Sequence, residues 1–139
     1  MLRYTSRPMK FDLVDQVLEQ EECRIVTVKK VLETEEYLAD HFPGFPIMPG
    51  VLMLEAMVQA ATRLLTKGGA RLVLGEVKAM KYGAMVRPKD TLRVEITSSK
   101  TDEDGTTWCK GIGTVFCNES QETRTAVSGR FKMRPARIE

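Results

Sequence analysis

The sequence predicts an α+β domain in which a curved antiparallel sheet wraps one long central helix. Three observations lead there. Residues Pro49 to Thr66 form one sustained run rich in Leu, Met and Ala, the residues that lose least on entering a helix. That run is apolar on nearly all sides, so other elements must cover it. The segments after it read as consecutive strands with no helices between them, which argues against an alternating, parallel α/β arrangement. No linker, repeat or low-complexity tract divides the chain, and 1–139 reads as a single domain.

Taken in order, "FDLVDQVLEQ" is open between a short helix and a strand, whereas "CRIVTVKKVL" is β-branched and reads as a strand. "TEEYLADHF" has the composition of a helical turn before a proline cluster. The central helix is expected to place Pro49 in its first turn, where the missing N–H is no loss, and to stop at "KGG", Lys67 to Gly69. Strand patterns follow in "RLVLGEVKAMKY", "TLRVEITSSK", "TTWCKGIGTVFC" and "RTAVSGRFKM". In the second of these, Leu92, Val94 and Ile96 alternate with Arg93, Glu95 and Thr97. "TDEDGTT" supplies a hairpin turn before the next strand.

Composition narrows the function. With 42% hydrophobic and 29% charged residues the 139-residue chain is globular, and a net charge of +2 with no basic–aromatic run gives no case for nucleic acid. Cys23, Cys109 and Cys117 show no CxxC spacing and there is one histidine, so no metal site is expected. The N-terminus carries charges where a signal peptide needs apolar residues. No segment reaches the roughly 18 consecutive apolar residues of a membrane span; Glu55, Gln59 and Arg63 interrupt the nearest one. A cytoplasmic protein with incidental thiols is expected.

The chemistry gathers in "DHFPGFPIMPGVLMLEAMVQAA", Asp40 to Ala61, which holds the single histidine, His41. Three prolines and two glycines fall within the eight residues from Pro43 to Gly50. Each residue before a proline is pushed out of helical conformation, so the path from His41 to the helix is stiff and extended. Within the helix Glu55, Gln59 and Thr62 fall at i, i+4 and i+7 and share one stripe. An acid in so apolar a helix is costly unless paired, hydrogen-bonded or neutral, and low dielectric favours the neutral carboxyl, the form a general acid needs. His41 is the natural base. The first N–H groups of the helix, around Gly50 and Val51, lack intrahelical partners and carry the positive end of the dipole, so they can polarise a carbonyl. Acid, base and carbonyl-binding N-terminus together describe proton abstraction beside a carbonyl with loss of a leaving group.

"HFPGFPIMPGVLMLEAMVQAA" closely resembles the active-site segment of the 3-hydroxyacyl-[acyl-carrier-protein] dehydratases of bacterial type II fatty-acid synthesis, with His41 and Glu55 at the two catalytic-type positions. Phe11, Val14 and Asp15 fit that family's N-terminal "PFLLVD" element, and "MKYGAMVRPKDTLRVEI" is similar to its "KFRRPVVPGDQLRLEV" strand pair through Tyr82, Val86, Pro88, Asp90 and Leu92. The chain departs from the pattern twice: "RPMK" stands where the family has a His-Arg-x-Pro cluster, and Lys89 where a turn glycine is common. The resemblance implies the hot-dog fold and dehydration of a 3-hydroxyacyl chain carried on acyl carrier protein. His41 and Glu55 would be the acid–base pair, Gly50, Val51 and Gln59 would bind substrate, and neither cofactor nor metal is implied. It also implies a homodimer, which can assemble into a trimer of dimers, with each site drawing His41 from one subunit and Glu55 from the other.

Plainer readings stand beside these. Gln59 also reads as a structural hydrogen-bonder, and Gly50 as a place where chains pass closely. Met48, Met53, Met57, Met80 and Met85 read as core filler or as the lining of an acyl tunnel. Trp108 and Phe116 read as sheet-face packing. Arg130, Lys132, Arg134 and Arg137 form a basic end, either solvated surface or a docking face for an acidic carrier. The residues also leave open a related hydratase or isomerase acting on coenzyme A or carrier thioesters, and an acyl-carrier-binding protein without turnover.

Overall fold

A computed structural model describes residues 12–35, 47–66 and 71–136. Strands β1 (Gln16–Glu21) and β2 (Arg24–Lys30) precede helix α1 (Gly50–Leu65). Strands β3 (Leu72–Tyr82), β4 (Thr91–Ser98), β5 (Thr107–Phe116) and β6 (Thr123–Pro135) follow it. All six strands join one antiparallel sheet in the order β1-β2-β4-β5-β6-β3, so β1 and β3 are its edges.

The first ambiguous segment resolves as strand: β1 forms a hairpin with β2 through the tight connection Glu22–Cys23. The turn from β4 to β5 closes as its composition predicts. Asp102 N–H donates to the Thr106 carbonyl, Gly105 N–H to that of Asp102, and Gly105 takes a φ of 86°, open to a residue without Cβ. The helical turn expected in "TEEYLADHF" and the "KGG" stop fall largely or wholly outside the described residues.

Helix α1 lies on one face of the sheet, against β4, β2 and β5 above all. Met53, Ala56, Met57, Ala60, Ala61 and Leu64 are buried, spaced at i, i+3, i+4, i+7, i+8 and i+11, which is one helical stripe. They meet Ile25, Leu92, Val94, Ile96, Val115, Val127, Phe131 and Met133 from the sheet. Each fully buried side chain of this size contributes roughly 1.5–3 kcal/mol. β5 brings Gly111 and Gly113 to the same face: a Cβ on Gly111 would stand 2.6 Å from Met57 Sδ. The absence of side chains there sets how closely the helix approaches.

Two expectations need correction. Pro49 is the N-cap, with extended φ and ψ of −61° and 146°, not a first-turn residue. Met48 N–H is bonded to the Val86 carbonyl at 2.8 Å, which holds the chain extended up to that point. The helix is also not enclosed on all sides. Leu52, Leu54 and Val58 are half-buried on its flanks and Val51 is 71% exposed, because one sheet can cover only one stripe.

Candidate active site

The predicted helix stripe is real, and two of its three polar members act together. Gln59 Nε2 donates to Glu55 Oε2 at 3.0 Å, while Gln59 Oε1 accepts the N–H of Leu13 at 2.8 Å. Leu13 is 1% exposed, so this bond satisfies a buried backbone donor and fixes which way the amide faces. Thr62 does not join them: its hydroxyl turns back to the Val58 carbonyl at 2.8 Å. Glu55 itself is half-buried rather than buried, since it lies on the flank of α1 next to the stripe that meets the sheet.

At the helix start the first bonds run from Leu52 and Met53 N–H to the Pro49 carbonyl, at 3.0 and 3.2 Å. The N–H groups of Gly50 and Val51 come before that ladder and have no intrahelical acceptor. Pro49 provides no side-chain cap. Gly50 is also a point of close approach, as the sequence suggested: a Cβ there would be 3.0 Å from Tyr82 Cε1. Tyr82, at the end of β3 and 51% exposed, therefore stands over the helix N-terminus. Sequence reasoning noted Tyr82 as a motif match but gave it no place in the site. His41 and Phe11 lie outside the described residues.

The N-terminal segment is held by charge. Asp15 Oδ2 accepts the N–H of Lys30 at 2.7 Å, and Asp15 N–H donates to the Val28 carbonyl at 2.9 Å. Lys29 Nζ lies 3.5 Å from Asp15 Oδ1 and 3.0 Å from Glu35 Oε1. Sequence reasoning missed Lys29; its signal was a cation at a core-facing position of an otherwise alternating strand.

The turn between β3 and β4 is organised by Asp90, buried, whose two oxygens accept the N–H groups of Arg87 and Asn118 at 2.9 and 3.0 Å. Lys89 occupies φ 78°, the left-handed region. Beside it a cleft of about 390 Å³ is lined in part by Met85, Arg87, Cys117 and Arg124. Met85, 49% exposed, is thus not core filler, whereas Met48, Met53 and Met57 are. Phe116, 40% exposed, stands on the outer sheet face. Trp108 carries Lys78 Nζ at 4.9 Å and Lys132 Nζ at 5.8 Å from its ring centroid. Of the basic end, Arg130 is exposed, Lys132 pairs with Glu76 at 3.4 Å, Arg134 is half-buried, and Arg137 lies outside the described residues.

Among the described residues no cluster of His, Cys, Asp and Glu could hold a metal, and no helix is long and apolar enough to cross a membrane. The three cysteines are free, and burial pushes the Cys109 thiol up to about 12.

Comparison with known proteins places this arrangement. A FabA-like domain matches residues 6–124. The chain is 36% identical over 111 residues to the 3-hydroxyacyl-[acyl-carrier-protein] dehydratase FabZ of Lactobacillus helveticus, covering 77% of this chain and 70% of that one. It is 42% identical over 112 residues to the protein of the same name from Erwinia tasmaniensis, covering 76% and 74%. Among solved structures, the dehydratase heterocomplex ApeI:P of Xenorhabdus doucetiae superposes with a TM-score of 0.63 at 19% identity, over 87% of this chain and 96% of that one. A hypothetical thioesterase with coenzyme A from Streptococcus pneumoniae gives 0.66 at 12% identity, over 87% and 84%. These structural likenesses establish the hot-dog fold. By sequence and by fold, the chain belongs to the FabA-like family of 3-hydroxyacyl-[acyl-carrier-protein] dehydratases.

Proposed function

We propose that the chain dehydrates 3-hydroxyacyl-[acyl-carrier-protein] to the trans-2-enoyl thioester in fatty-acid biosynthesis, with His41 and Glu55 as base and acid. The observation that carries the assignment is the anchored carboxyl of Glu55, held at 3.0 Å by a glutamine amide that is itself fixed to the backbone. A group whose orientation is set in advance loses little in reaching the reacting geometry.

In this mechanism neutral His41 takes the proton from the carbon beside the thioester carbonyl. The electron pair forms the new double bond as the bond to the 3-hydroxyl breaks, and protonated Glu55 donates to the departing oxygen, which leaves as water. Gln59 occupies Oε2, leaving Oε1 to carry the transferred proton. The Gly50 and Val51 N–H groups, ahead of the helix ladder, would hold the carbonyl oxygen while charge develops on it. The carbonyl acidifies the proton, so the chemistry asks only for orientation and proton transfer.

The same proposal pairs two chains. Among the described residues β3 is an edge strand of the sheet, and Val77 on that strand and Val51 on the helix are exposed. Joining two β3 edges would continue the sheet and bring the helices of the two chains together, with His41 of one protomer completing the site of Glu55 in its partner. Such dimers can stack into a trimer of dimers. The cytoplasm is the expected compartment.

The test is turnover of a 3-hydroxyacyl-carrier substrate, followed by appearance of the enoyl product. His41→Ala and Glu55→Gln should each lower kcat by at least about 10²-fold in a folded protein. The double variant should lose little more than either single one, since the groups act as a unit. Near-normal turnover by Glu55→Gln would refute the assignment.

A further inference from the structure

An irregularity in β3 decides where Tyr82 points. From Val77 to Tyr82 the strand takes five steps, while their partners Phe131 and Val127 on β6 are four apart. Phe131 and Val127 belong to the core beneath the helix, and residues directly opposite in an antiparallel pair face the same side. Tyr82 therefore faces the helix side, as Val77 does. Strict alternation over five residues would have turned it to the outer face. The extra residue falls at Ala79 and Met80, opposite Gly129, and Ala79 takes a φ of 54°, in the left-handed region. A residue with a Cβ costs about 1–2 kcal/mol there. Gly129 makes the room: a Cβ on it would stand 2.7 Å from Met80 Cε and 3.0 Å from Met80 Cα.

Strain of this kind persists only where the surrounding structure enforces it, and a bulge beside a site re-aims a side chain. What this bulge aims is a phenol. A Cβ on Gly50 would be 3.0 Å from Tyr82 Cε1, 3.2 Å from Cζ and 3.3 Å from Cδ1. The edge of the ring that meets the helix N-terminus thus includes Cζ, the carbon that bears the hydroxyl. Among the described residues that hydroxyl has no hydrogen-bond partner, and the side chain is half exposed. Beside it are the Gly50 and Val51 N–H groups, which precede the helix ladder. Tyr82 and Gly50 belong to one chain, so this relationship holds however His41 and Glu55 are divided between subunits.

We infer that Tyr82 is a substrate-contacting donor: its hydroxyl joins the Gly50 and Val51 N–H groups in holding the thioester oxygen as negative charge develops there. The inference rests on the reading of the helix N-terminus as the carbonyl site of the elimination. The phenol keeps its proton throughout and takes no part in the transfers at His41 and Glu55. Where the family's "KFRRPVVPGDQLRLEV" has phenylalanine this chain has Tyr82, so the ring is the common feature and the hydroxyl is this chain's addition. A donor whose bond strengthens as the charge develops raises kcat more than it tightens substrate binding.

Two variants separate the hydroxyl from the ring. Tyr82→Phe keeps the ring against Gly50 and removes only the donor, whereas Tyr82→Leu removes both. Thermal melting, kcat and KM are measured for the parent and both variants on a 3-hydroxyacyl-carrier substrate, beside Glu55→Gln. Removing one donor from such a site costs up to about 10²–10³-fold in kcat. With the two N–H groups left in place, Tyr82→Phe should lose at least about 10-fold in kcat, with KM within about threefold. Its melting temperature should stay within about 2 °C of the parent, since a half-exposed hydroxyl without a partner contributes little to stability. Tyr82→Leu should lose at least as much kcat. Parental kcat in Tyr82→Phe with a loss confined to Tyr82→Leu overturns the proposal and leaves the ring as a wall; so does a loss in Tyr82→Phe that appears in KM alone. Glu55→Gln separates the two readings. If it is inactive while Tyr82→Phe is parental, the donor alone is wrong; if it keeps near-parental turnover, the elimination reading fails and the donor falls with it.

Discussion

Gln59 Nε2 and Glu55 Oε2 stand 3.0 Å apart on successive turns of one helix, and the other end of the same amide accepts the buried Leu13 N–H at 2.8 Å. A side-chain amide has one acceptor and one donor end, so using both leaves it a single orientation. The carboxyl is thereby referenced to the backbone of a distant segment, not merely to its own helix.

Replacing Gln59 by Leu keeps its approximate volume and removes both bonds. The buried Leu13 N–H is then unsatisfied, which costs about 1–3 kcal/mol of stability. Glu55 also gains rotamer freedom, so kcat should fall about 10-fold or more with a smaller change in KM. Steady-state kinetics beside a denaturant titration checks both; a variant that loses stability but keeps full kcat would show the amide to be structural only.

Lys89 sits at φ 78°, where a side chain with a Cβ costs about 1–2 kcal/mol. Its pairing with Glu33 at 3.4 Å involves side chains 64% and 65% exposed, and such surface pairs contribute little. Lys89→Gly should therefore stabilise the protein, by about 0.5–1 kcal/mol after the larger unfolded-state entropy of glycine is counted. The expected rise in Tm is about 2–4 °C. A lower Tm by calorimetry would mean the lysine makes a contact worth more than the backbone strain.

Much of this was legible in the sequence where one signal dominated. The apolar run from Val51 to Leu65 read as a helix with a wide apolar face, and strict alternation in Leu92 to Thr97 as a half-buried strand. That Glu55 and Gln59 share one stripe followed from i, i+4 spacing, and the bond between them is what the structure adds. Thr62 shared that spacing but found a nearer acceptor in its own backbone, a competition that spacing does not register. Pro49 was placed one residue too far into the helix because the bond from Met48 to Val86 is long-range. Tyr82 gained no place in the site for the same reason, since its approach to Gly50 joins distant elements, whereas Lys29 did carry a signal, a cation at an inward position of β2. Glu55 read as buried because the sequence shows an apolar helix without showing how much of it one sheet can cover.

Asp104 gives a prediction in pH. The Thr106 N–H, 3.0 Å from Oδ1, and the Thr106 hydroxyl hold its carboxyl below the ordinary aspartate value, with a smaller contribution from Lys132. A depressed folded-state value means the stabilisation is present above the unfolded value of about 3.9 and is lost as pH falls through the folded value. Melting temperature should thus decline more steeply below about pH 4 in the parent than in Asp104→Asn, so that the parent's advantage at neutral pH shrinks and the two curves converge on acidification. Parallel curves across pH 3 to 6 would exclude a role for this carboxylate's charge, and a constant offset between them would point to the turn geometry instead.

The contact of Gly111 with Met57 offers a test of how the sheet sets the height of the helix. A Cβ on Gly111 would fall 2.6 Å from Met57 Sδ, 3.0 Å from Ile96 Cδ1 and 3.3 Å from Phe131 Cε1, all in the closed core. Overpacking of this kind typically costs about 1–3 kcal/mol, since neighbours must leave their rotamers or the helix must rise. Met57 lies two residues from Glu55, so a raised helix also moves the carboxyl away from its referenced position. Gly111→Ala should lower both stability and kcat. Met57→Ala alone leaves a cavity and costs about 2–5 kcal/mol. Because the added methyl occupies part of the space that the lost methionine vacates, the double variant should be more stable than the sum of the two losses predicts, by about 0.5–3 kcal/mol. Denaturant titrations of the four proteins measure that coupling. Strict additivity would show that the sheet accommodates the methyl elsewhere, and that the glycine is not what fixes the depth of the helix.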